Sequence, residues 1–380
     1  MDKTRCSESL AKVIQENFHW PSPKQLLSQL DEVVVFGTGA AAASLTKILG
    51  EYDVKVACYL DNDKEKQNGY FHDKQVRAPA ELKNSKHLVL IASAWAKDIA
   101  SQLFELSCEY LDFSFCVDFS RWQSHFDCDV FDAKAALEFG ERYLKGEDLM
   151  RFLGCIRYRQ TYDPLQLFDS EYRHYINPNV LPLSSDVYID AGAWQGDTLQ
   201  ELKDLCGNDI EIHSFEPDEG NFKIVANLIA NQGIDNCFAI NKALWKEETT
   251  LRFLNSTDAV HSMQSRVSDE RSIDNKITEV LATTIDKYSE GLDRFPSYIK
   301  MDIEGAEPEA LSGAEKLLRD VGPNLAISVY HEPNHIWELM EQIKKINPGY
   351  RFWFVHHSQH LLESVPVSYT HLRAHETPEH

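Results

Sequence analysis

The hydrophobic pattern of the first 120 residues predicts a helical segment followed by alternating strands and helices. Apolar residues recur at helical spacing over 9–18 and again over 23–30, which predicts a short N-terminal helical cap. The pattern then changes to short apolar runs separated by helix-like stretches, and the first run ends in a glycine-rich loop. The predicted strands lie at residues 33–36, 55–60, 87–92 and 110–117. This βαβ series favours a small doubly wound sheet.

The second half of the chain carries a longer series of the same kind. Residues 119–180 lose strand alternation and contain helix-like segments such as 133–144, so they predict a helical connector. Apolar runs then return at residues 187–191, 211–215, 237–241, 249–254, 298–301, 325–330 and 350–355. The sequence therefore predicts an α/β protein with two doubly wound, Rossmann-like domains. We place a helical cap at 1–30, the first domain at 31–120, the connector at 121–184, the second domain at 185–365 and an atypical tail at 366–380.

The tail, PVSYTHLRAHETPEH, continues no pattern that precedes it. It resembles the translation of a sequencing adaptor, which would mean that the native closing strand is missing or replaced. The alternative is a genuine disordered tail. A closing strand is expected after His356-His357-Ser358, and the unusual tail puts that expectation in doubt.

Length and composition fit a soluble protein of two domains. The chain has 380 residues, of which 43% are hydrophobic and 26% charged. No apolar stretch approaches the roughly 20 residues of a membrane span, and the polar N-terminus lacks the apolar core of a secretion signal, so we expect a cytoplasmic protein without a membrane span. The net charge of −22 disfavours nucleic acid as a partner. The eight cysteines show no zinc-ligand spacing and are predicted to be reduced packing residues, with no metal site.

The strongest candidate for chemistry follows the first strand of the second domain. The sequence VYIDAGAWQGDT places Asp190 at the strand end, and Gly192 and Gly196 in the loop before a helix. Glycines let the backbone turn tightly and approach a ligand, while the helix presents its N-terminal amides. Any doubly wound fold needs such a turn. The alternative to a cofactor site is therefore a turn that serves only the packing of strand and helix.

An acid at the end of the next strand favours the cofactor interpretation. Glu216, in the sequence IHSFEPD, follows Gly196 by 20 residues. At this separation a Rossmann fold places the acid that accepts the hydroxyls of an adenosine ribose. We include Asp218 from the same loop among the candidate cofactor-binding residues. A solvated acid at a strand end is the alternative, but it is less expected together with the glycine loop.

A third strand delivers three carboxylates at its C-terminal end. They are Asp302, Glu304 and Glu307, in the sequence YIKMDIEGAE. Ligands of this fold class bind outside the C-terminal ends of the strands. Neighbouring carboxylates repel one another unless a cation lies near them. A sulfonium cofactor or a polar substrate would meet that condition.

Taken in order, the segments DAGAWQGDT, SFEPD and IKMDIEGAEPEAL resemble the FkbM family of methyltransferases over about residues 185–357. The strand at 325–330 and the following His331-Glu332-Pro333 are similar to the family's next strand and loop. The resemblance implies a class I S-adenosylmethionine-dependent methyltransferase that methylates hydroxyls of sugars, glycans or related polar metabolites. It implies cofactor-loop positions for Asp190, Gly192 and Gly196, the ribose acid at Glu216, and the signature strand end at Asp302 and Glu304.

The expected transfer needs a hydroxyl aligned with the methyl carbon and sulfur, helped by a general base. The candidates are His331, Asp302 and Glu304, because neighbouring strand ends meet at one cleft. His331 titrates near neutrality but also fits an ordinary loop residue. Asp302 could instead orient the substrate, or bind a divalent metal with Glu304, and the sequence leaves this open. His261 is expected to be a solvated loop residue.

The first domain also has the outline of a nucleotide site. Gly37 and Gly39 follow its first strand, and Asp61 stands 22 residues after Gly39. NAD or a nucleotide sugar could bind such a loop, and a structural scaffold is the equally compatible alternative.

Two other functions remain as alternatives to a methyltransferase. A nicotinamide-linked oxidoreductase or sugar-nucleotide enzyme would need a pair such as Tyr-x-x-x-Lys within 85–150, and Tyr143 and Lys145 lack that spacing. A binding module without chemistry is disfavoured by the intact glycine loop, ribose acid and strand-end carboxylates.

Overall fold

The computed structural model describes residues 3–171, 174–232, 236–255, 266–267 and 276–370. The chain divides into two compact units. The first contains the residues up to Ser170 together with 332–337 and 354–364, and the second contains 171–331, 338–353 and the residues from Val365 onward. The division falls within the predicted connector.

The first unit is built around a six-stranded sheet. Its helices are α1 (Lys3–Gln15), α2 (Pro23–Leu27), α3 (Ala40–Glu51), α4 (Ala96–Glu105), α5 (Phe119–Trp122), α6 (Ala133–Tyr143) and α7 (Gly146–Thr161). Its strands are β1 (Glu32–Phe36), β2 (Lys55–Leu60), β3 (Tyr70–Phe71), β4 (Lys74–Arg77), β5 (Val89–Ile91) and β6 (Tyr110–Asp112). The strand order is β3-β4-β2-β1-β5-β6, and every pair is parallel except β3 with β4.

The four strands predicted for this unit are confirmed, with two shorter than expected. The predicted strand 87–92 is reduced to Val89–Ile91. The predicted strand 110–117 ends at Asp112, because the Asp112 carboxylate accepts a hydrogen bond from the Ser114 amide at 2.8 Å and a 3₁₀ helix, Ser114–Asp118, begins there. The short β3–β4 hairpin was not predicted. Its Tyr70 is 79% exposed, so this hairpin lacks the alternation of buried apolar and exposed polar residues from which a strand is predicted.

The elements from residue 187 onward form a longer α/β series. The helices are α8 (Asp197–Cys206), α9 (Glu219–Gln232), α10 (Ile285–Ser289), α11 (Glu307–Ser312), α12 (Glu315–Asp320) and α13 (His335–Ile346). The strands are β7 (Val187–Ala191), β8 (Glu211–Phe215), β9 (Cys237–Ile240), β10 (Ala243–Leu244), β11 (Thr249–Asn255), β12 (Arg266–Val267), β13 (Lys276–Thr283), β14 (Tyr298–Met301), β15 (Asn324–Ile327), β16 (Arg351–His356) and β17 (Ser364–Tyr369). All seven strands predicted for this half are confirmed to within a few residues.

Seven of these strands form the main sheet, in the order β16-β17-β15-β14-β7-β8-β9. Strands β9, β8, β7, β14 and β15 run parallel. Their ends therefore meet along one edge of the sheet, where ligands of doubly wound folds bind. The central strands are buried on both faces, and β7 is buried at all five positions. Strands β10, β11, β12 and β13 form a separate four-stranded sheet.

The tail is a closing strand as far as Tyr369. Strand β17 lies antiparallel to β15, with Ser368 opposite Leu325 and Val367 opposite Ala326. Val367 is 1% exposed. The prediction that residue 366 begins an atypical tail is therefore wrong for 366–369, and the boundary placed there cuts through β17. Residues 371–380 lie outside the described residues.

Within the described part of the chain, no helix combines the length and apolar character that a membrane crossing needs.

Candidate active site

The glycine loop after β7 depends on two glycines with left-handed backbone. Gly192 has φ +81° and Gly196 has φ +87°, a region that side-chain-bearing residues rarely adopt. The amides of Gly192 and Ala193 both donate to the Phe215 carbonyl at 3.0 Å, which ties the loop to the end of β8. Helix α8 begins directly after Gly196. The loop therefore has the tight turn and helix start that the sequence predicts.

Glu216 lies beside this loop at the end of β8. Its carboxylate accepts the Trp194 amide and the Asp218 amide, both at 2.8 Å. The side chain is nearly covered, and burial raises the pKa of Glu216 to about 7 against the lowering effect of these two amides. A ligand that donates hydroxyls here would favour the ionised carboxylate.

Asp218 and Trp194 have separate places in this region. The Asp218 carboxylate accepts the Asn221 amide at 2.9 Å and so caps the start of α9. Trp194 has φ +45° and a 37% exposed side chain. A bulky residue in left-handed backbone is strained, and such strain is concentrated at ligand-binding loops.

Asp190 does not face solvent as a ligand-contacting residue would. Its side chain is fully buried, and one carboxylate oxygen lies 3.1 Å from Lys300 Nζ. Lys300 stands opposite Asp190 in the β14–β7 register and donates to the Gly192 carbonyl at 2.6 Å. Asp190 therefore supports the loop through Lys300.

Asp302, at the end of β14, is held by two tyrosines. Tyr175 donates its hydroxyl to one carboxylate oxygen at 2.6 Å, and the Tyr330 hydroxyl lies 3.3 Å from the other. Tyr175 is buried, while the Asp302 side chain is 25% exposed. Asp302 thus has a fixed orientation and an accessible edge.

His331 supplies the cation that the strand-end carboxylates require. Its Nδ1 lies 2.9 Å from Glu307, and its Nε2 lies 3.2 Å from Asp302 and 3.9 Å from Glu304. The ring is 1% exposed. Burial alone would lower the pKa of His331, but the three carboxylates outweigh it and raise that pKa well above its ordinary value. A histidine held as a cation has no lone pair with which to take a proton.

The same contacts keep Asp302 ionised. Burial would raise the pKa of Asp302, but His331 and Lys300 hold it well below its usual range. Such a carboxylate is a strong hydrogen-bond acceptor and a weak base. The geometry therefore favours substrate orientation by Asp302, one of the roles that the sequence left open.

Asp302, Glu307 and His331 are the group of potential metal ligands found among the described residues. The two nitrogens of the His331 ring face different carboxylates. Both ring nitrogens are thus within reach of a carboxylate, as expected of a protonated ring. A metal-bound histidine also gives its other N–H to a carboxylate, so a metal ion here would have to replace the proton on one of the two nitrogens.

Three residues of this site were not predicted from the sequence. They are Tyr175, Lys300 and Tyr330. Glu307 was predicted as one of the strand-end carboxylates, but without a role. Lys300 lies inside the signature segment and Tyr330 directly precedes His331, so both could have been found as neighbours of predicted residues. Tyr175 stands 127 residues before Asp302 in a stretch predicted to be helical, and no periodic pattern marks it. His261 lies outside the described residues.

Two of the three residues predicted for a nucleotide site in the first unit, Gly37 and Asp61, have close contacts within the chain. Gly37 has φ +123°, and a Cβ there would lie 2.5 Å from the Ala92 carbonyl oxygen. The Asp61 carboxylate accepts the Thr38 hydroxyl and the Asp63 amide, and it pairs with Lys66 at 3.3 Å. Gly39 caps α3 with φ −102°, and an added Cβ would meet no atom within 4 Å. Gly37 thus serves close packing, and Asp61 braces the loop.

The loop at 192–196 fits the adenosine part of S-adenosylmethionine. Its two left-handed glycines give the tight turn before helix α8, and Glu216 offers carboxylate oxygens whose ionised form gains from hydroxyl donors. The cofactor would be held by this loop and by Glu216.

Comparisons with known proteins identify both parts of the chain. Residues 188–352 match the methyltransferase FkbM domain, and residues 29–110 match the C2185-like N-terminal domain. No curated protein matches the sequence.

Among solved structures, the chain is similar to the methyltransferase FkbM of Methylobacillus flagellatus KT. The TM-score is 0.69 at 17% identity, over 97% of this chain and 99% of that one. A methyltransferase from Aquifex aeolicus matches with a TM-score of 0.31 at 14% identity, over 50% of this chain and 84% of that one. Fibrillarin of Aeropyrum pernix, with bound S-adenosyl-L-methionine, matches with a TM-score of 0.32 at 12% identity, over 48% and 66%.

The fold of the first of these structures and the domain match at 188–352 agree with the loop, acid and strand-end signature described above. Residues 188–352 are a methyltransferase FkbM domain, and the chain is an S-adenosylmethionine-dependent methyltransferase.

Proposed function

We propose that the protein transfers a methyl group to a hydroxyl of a sugar, glycan or related polar metabolite. The observation that carries this proposal is the pair of partly exposed carboxylates beside the cofactor loop. Asp302 and Glu304 are 25% and 24% exposed, and both are ionic partners of His331. A hydroxyl donates a hydrogen bond to such an acceptor, whereas an apolar group would displace water from the exposed edges of both carboxylates and offer no hydrogen bond in exchange.

S-adenosylmethionine, when bound, supplies an electrophilic methyl group. Asp302 accepts a hydrogen bond from the acceptor hydroxyl and fixes its direction, because Tyr175 and His331 keep the carboxylate in one orientation. The loop at 192–196 and Glu216 would hold the cofactor that supplies the methyl group, and the proton of the acceptor hydroxyl would have to pass to a base.

We propose Glu304 as that base. Its carboxylate lies 3.9 Å from His331 Nε2, compared with 3.2 Å for Asp302, so the imidazolium stabilises its anionic form less. A less stabilised carboxylate accepts a proton more readily. Glu304 has φ +58°, which places this side chain at a turn directly after the strand end.

The first test is calorimetric titration with S-adenosylhomocysteine, S-adenosylmethionine and NAD, with Glu216→Ala as the control. We expect both adenosyl ligands to bind and Glu216→Ala to abolish binding. Binding of NAD alone would overturn the proposal and move the function to the first unit.

The acceptor class is tested by measuring S-adenosylhomocysteine release in a panel of sugars, glycans and matched deoxy analogues. We expect turnover that disappears when one hydroxyl is removed. Glu304→Gln should lower kcat with little change in the acceptor KM, whereas Asp302→Asn should raise the acceptor KM. Turnover of amines or thiols in place of hydroxyls would contradict O-methylation.

A further inference from the structure

Lys300 is a buried lysine whose ammonium contacts the cofactor loop. Its side chain is 3% exposed, and lysine is almost never buried unless it is paired. Nζ lies 3.1 Å from Asp190 and donates to the Gly192 carbonyl at 2.6 Å. The ion pair explains how the charge is accommodated, and the bond to Gly192 reaches the residue on which the loop turns.

The hydrogen bond from Lys300 is one of two that hold the same peptide group, one at its carbonyl and one at its amide. The peptide between Gly192 and Ala193 offers one carbonyl and one amide. The carbonyl accepts from Lys300 at 2.6 Å, and the Ala193 amide donates to the Phe215 carbonyl at 3.0 Å. Glycine has a wide choice of backbone angles, so a peptide beside it can rotate at low cost unless both ends are held. Rotation here would break both bonds.

The orientation of this peptide determines what the loop presents. The next amide, that of Trp194, donates to Glu216 at 2.8 Å, and the ribose acid is thereby joined to the same turn. Lys300 Nζ also lies 5.2 Å from the centre of the Tyr175 ring, and the Tyr175 hydroxyl orients Asp302. One ammonium group therefore supports both the cofactor side and the acceptor side of the site.

We propose that Lys300 is a positioning residue that fixes the Gly192–Ala193 peptide and so preorganises the loop for the cofactor. The proposal rests on the assignment of this loop to S-adenosylmethionine. The competing explanation is that Lys300 only neutralises the buried Asp190 and matters for folding alone.

The two explanations predict different losses of ligand affinity for variants that lose similar amounts of thermal stability. Lys300→Met removes the donor to Gly192 and leaves Asp190 without its partner. Asp190→Asn also disrupts the ion pair but keeps the donor. If Lys300 positions the loop, Lys300→Met weakens S-adenosylhomocysteine binding at least tenfold, and Asp190→Asn weakens it clearly less, even where both lower Tm by similar amounts.

Lys203→Met is the matched control, because Lys203 is a second largely buried lysine of the same unit, on α8. Its ammonium has no hydrogen-bond partner within the described residues. We expect its binding affinity and turnover to stay within twofold of wild type.

The double variant Asp190→Asn/Lys300→Met keeps the proposal testable if Lys300→Met does not fold. It removes both buried charges, which avoids the large cost of one unpaired charge. We expect it to fold, to bind S-adenosylhomocysteine at least tenfold more weakly than wild type, and to show a raised KM for S-adenosylmethionine with a lowered kcat.

A double variant that folds and binds within twofold of wild type would overturn the proposal. So would equal losses of affinity in Lys300→Met and Asp190→Asn. Failure of the wild-type protein to bind S-adenosylhomocysteine is a different result, because it would remove the function on which the proposal rests. Calorimetry and thermal unfolding of all four variants supply these outcomes without an acceptor.

Discussion

Gly192 and Asp302 approach so closely that a Cβ at residue 192 would lie 1.9 Å from the Asp302 carbonyl oxygen. The ends of β7 and β14 are therefore in backbone contact at the point where the cofactor loop begins. No side chain fits between them, and the φ of +81° at Gly192 independently requires glycine. The cofactor loop and the acceptor-orienting acid are consequently fixed relative to each other by main-chain contact.

Gly192→Ala should therefore disrupt the site. The added methyl group must push β7 and β14 apart, so we expect a loss of roughly 1–3 kcal/mol in the free energy of unfolding. We also expect at least tenfold weaker binding of S-adenosylhomocysteine. Gly39→Ala is the matched control, because an added Cβ there meets no atom within 4 Å and its φ is −102°. Urea unfolding and calorimetry measure both effects, and equal behaviour of the two variants would contradict this reasoning.

The parts of this site that follow strands could be predicted from sequence, because strand ends are determined by local periodicity. Gly192, Glu216 and Asp302 each stand directly after a short apolar run, so their meeting at one sheet edge follows from the parallel order. The cation at the carboxylates was predicted to come from a ligand. It is His331 of the chain itself, and its distances to the acids depend on packing that no spacing rule specifies.

The features that the sequence did not predict depend on contacts between residues far apart in the chain. Tyr175 reaches Asp302 from a segment without a periodic pattern. Strand β17 was missed because Pro366 interrupts its apolar pattern and proline normally argues against a strand inside a sheet. Its pairing with β15 across some 40 residues, between Ser368 and Leu325, is tertiary information.

Cofactor binding should depend on pH through Glu216. Burial raises the pKa of Glu216 to about 7, and the ionised form is the one that accepts ribose hydroxyls. Binding should then favour loss of the proton, so affinity rises with pH up to about 7 and levels off above it. For one proton, we expect about tenfold weaker binding of S-adenosylhomocysteine at pH 6 than at pH 8. Calorimetry between pH 6 and pH 8 measures how the affinity for S-adenosylhomocysteine changes with pH. In Glu216→Gln this pH dependence should disappear.

The His331 cation should make stability depend on pH in the opposite sense. The pKa of His331 is raised, so its contribution to stability is complete below the unfolded value of about 6.5 and is lost as pH rises through the folded pKa. We expect His331→Gln to be most destabilising near pH 6, with the difference from wild type narrowing above pH 7 by up to about 1.4 kcal/mol per pH unit. Urea unfolding at several pH values measures this.

His356→Gln is the control for that experiment. Burial lowers the pKa of His356 to about 3, so this ring is neutral in the folded protein and in the unfolded chain above pH 7. Its substitution should leave the slope of stability against pH unchanged between pH 7 and 9. A His331→Gln effect that is constant over this range would show that His331 is neutral.

Methyl transfer should not require a divalent metal. In the Asp302–Glu307–His331 group the ring nitrogens face two different carboxylates, and a proton already balances part of their charge. The protein is dialysed exhaustively against a chelator and then assayed with and without added Mg²⁺, Mn²⁺ or Zn²⁺. We expect kcat to stay within twofold of its value before dialysis in every case. Restoration of lost activity by one of these ions would assign a metal to this group.

Asp61 should act as a brace of the first unit without serving as a nucleotide ligand. Burial would raise its pKa, but hydrogen bonds from Thr38 and the Asp63 amide, with Lys66 nearby, lower it. A depressed carboxyl pKa stabilises the fold above the unfolded value of about 3.9, and this stabilisation is lost as pH falls through the folded pKa. We expect Asp61→Asn to lower Tm at pH 7 but progressively less below pH 4. The wild-type protein should release no binding heat with NAD or a nucleotide sugar, and Asp61→Asn should bind S-adenosylhomocysteine as wild type does. Saturable NAD binding that Asp61→Asn abolishes would instead establish a second nucleotide site, because a carboxylate that serves only to hold Thr38, the Asp63 amide and Lys66 would not contribute to binding that ligand.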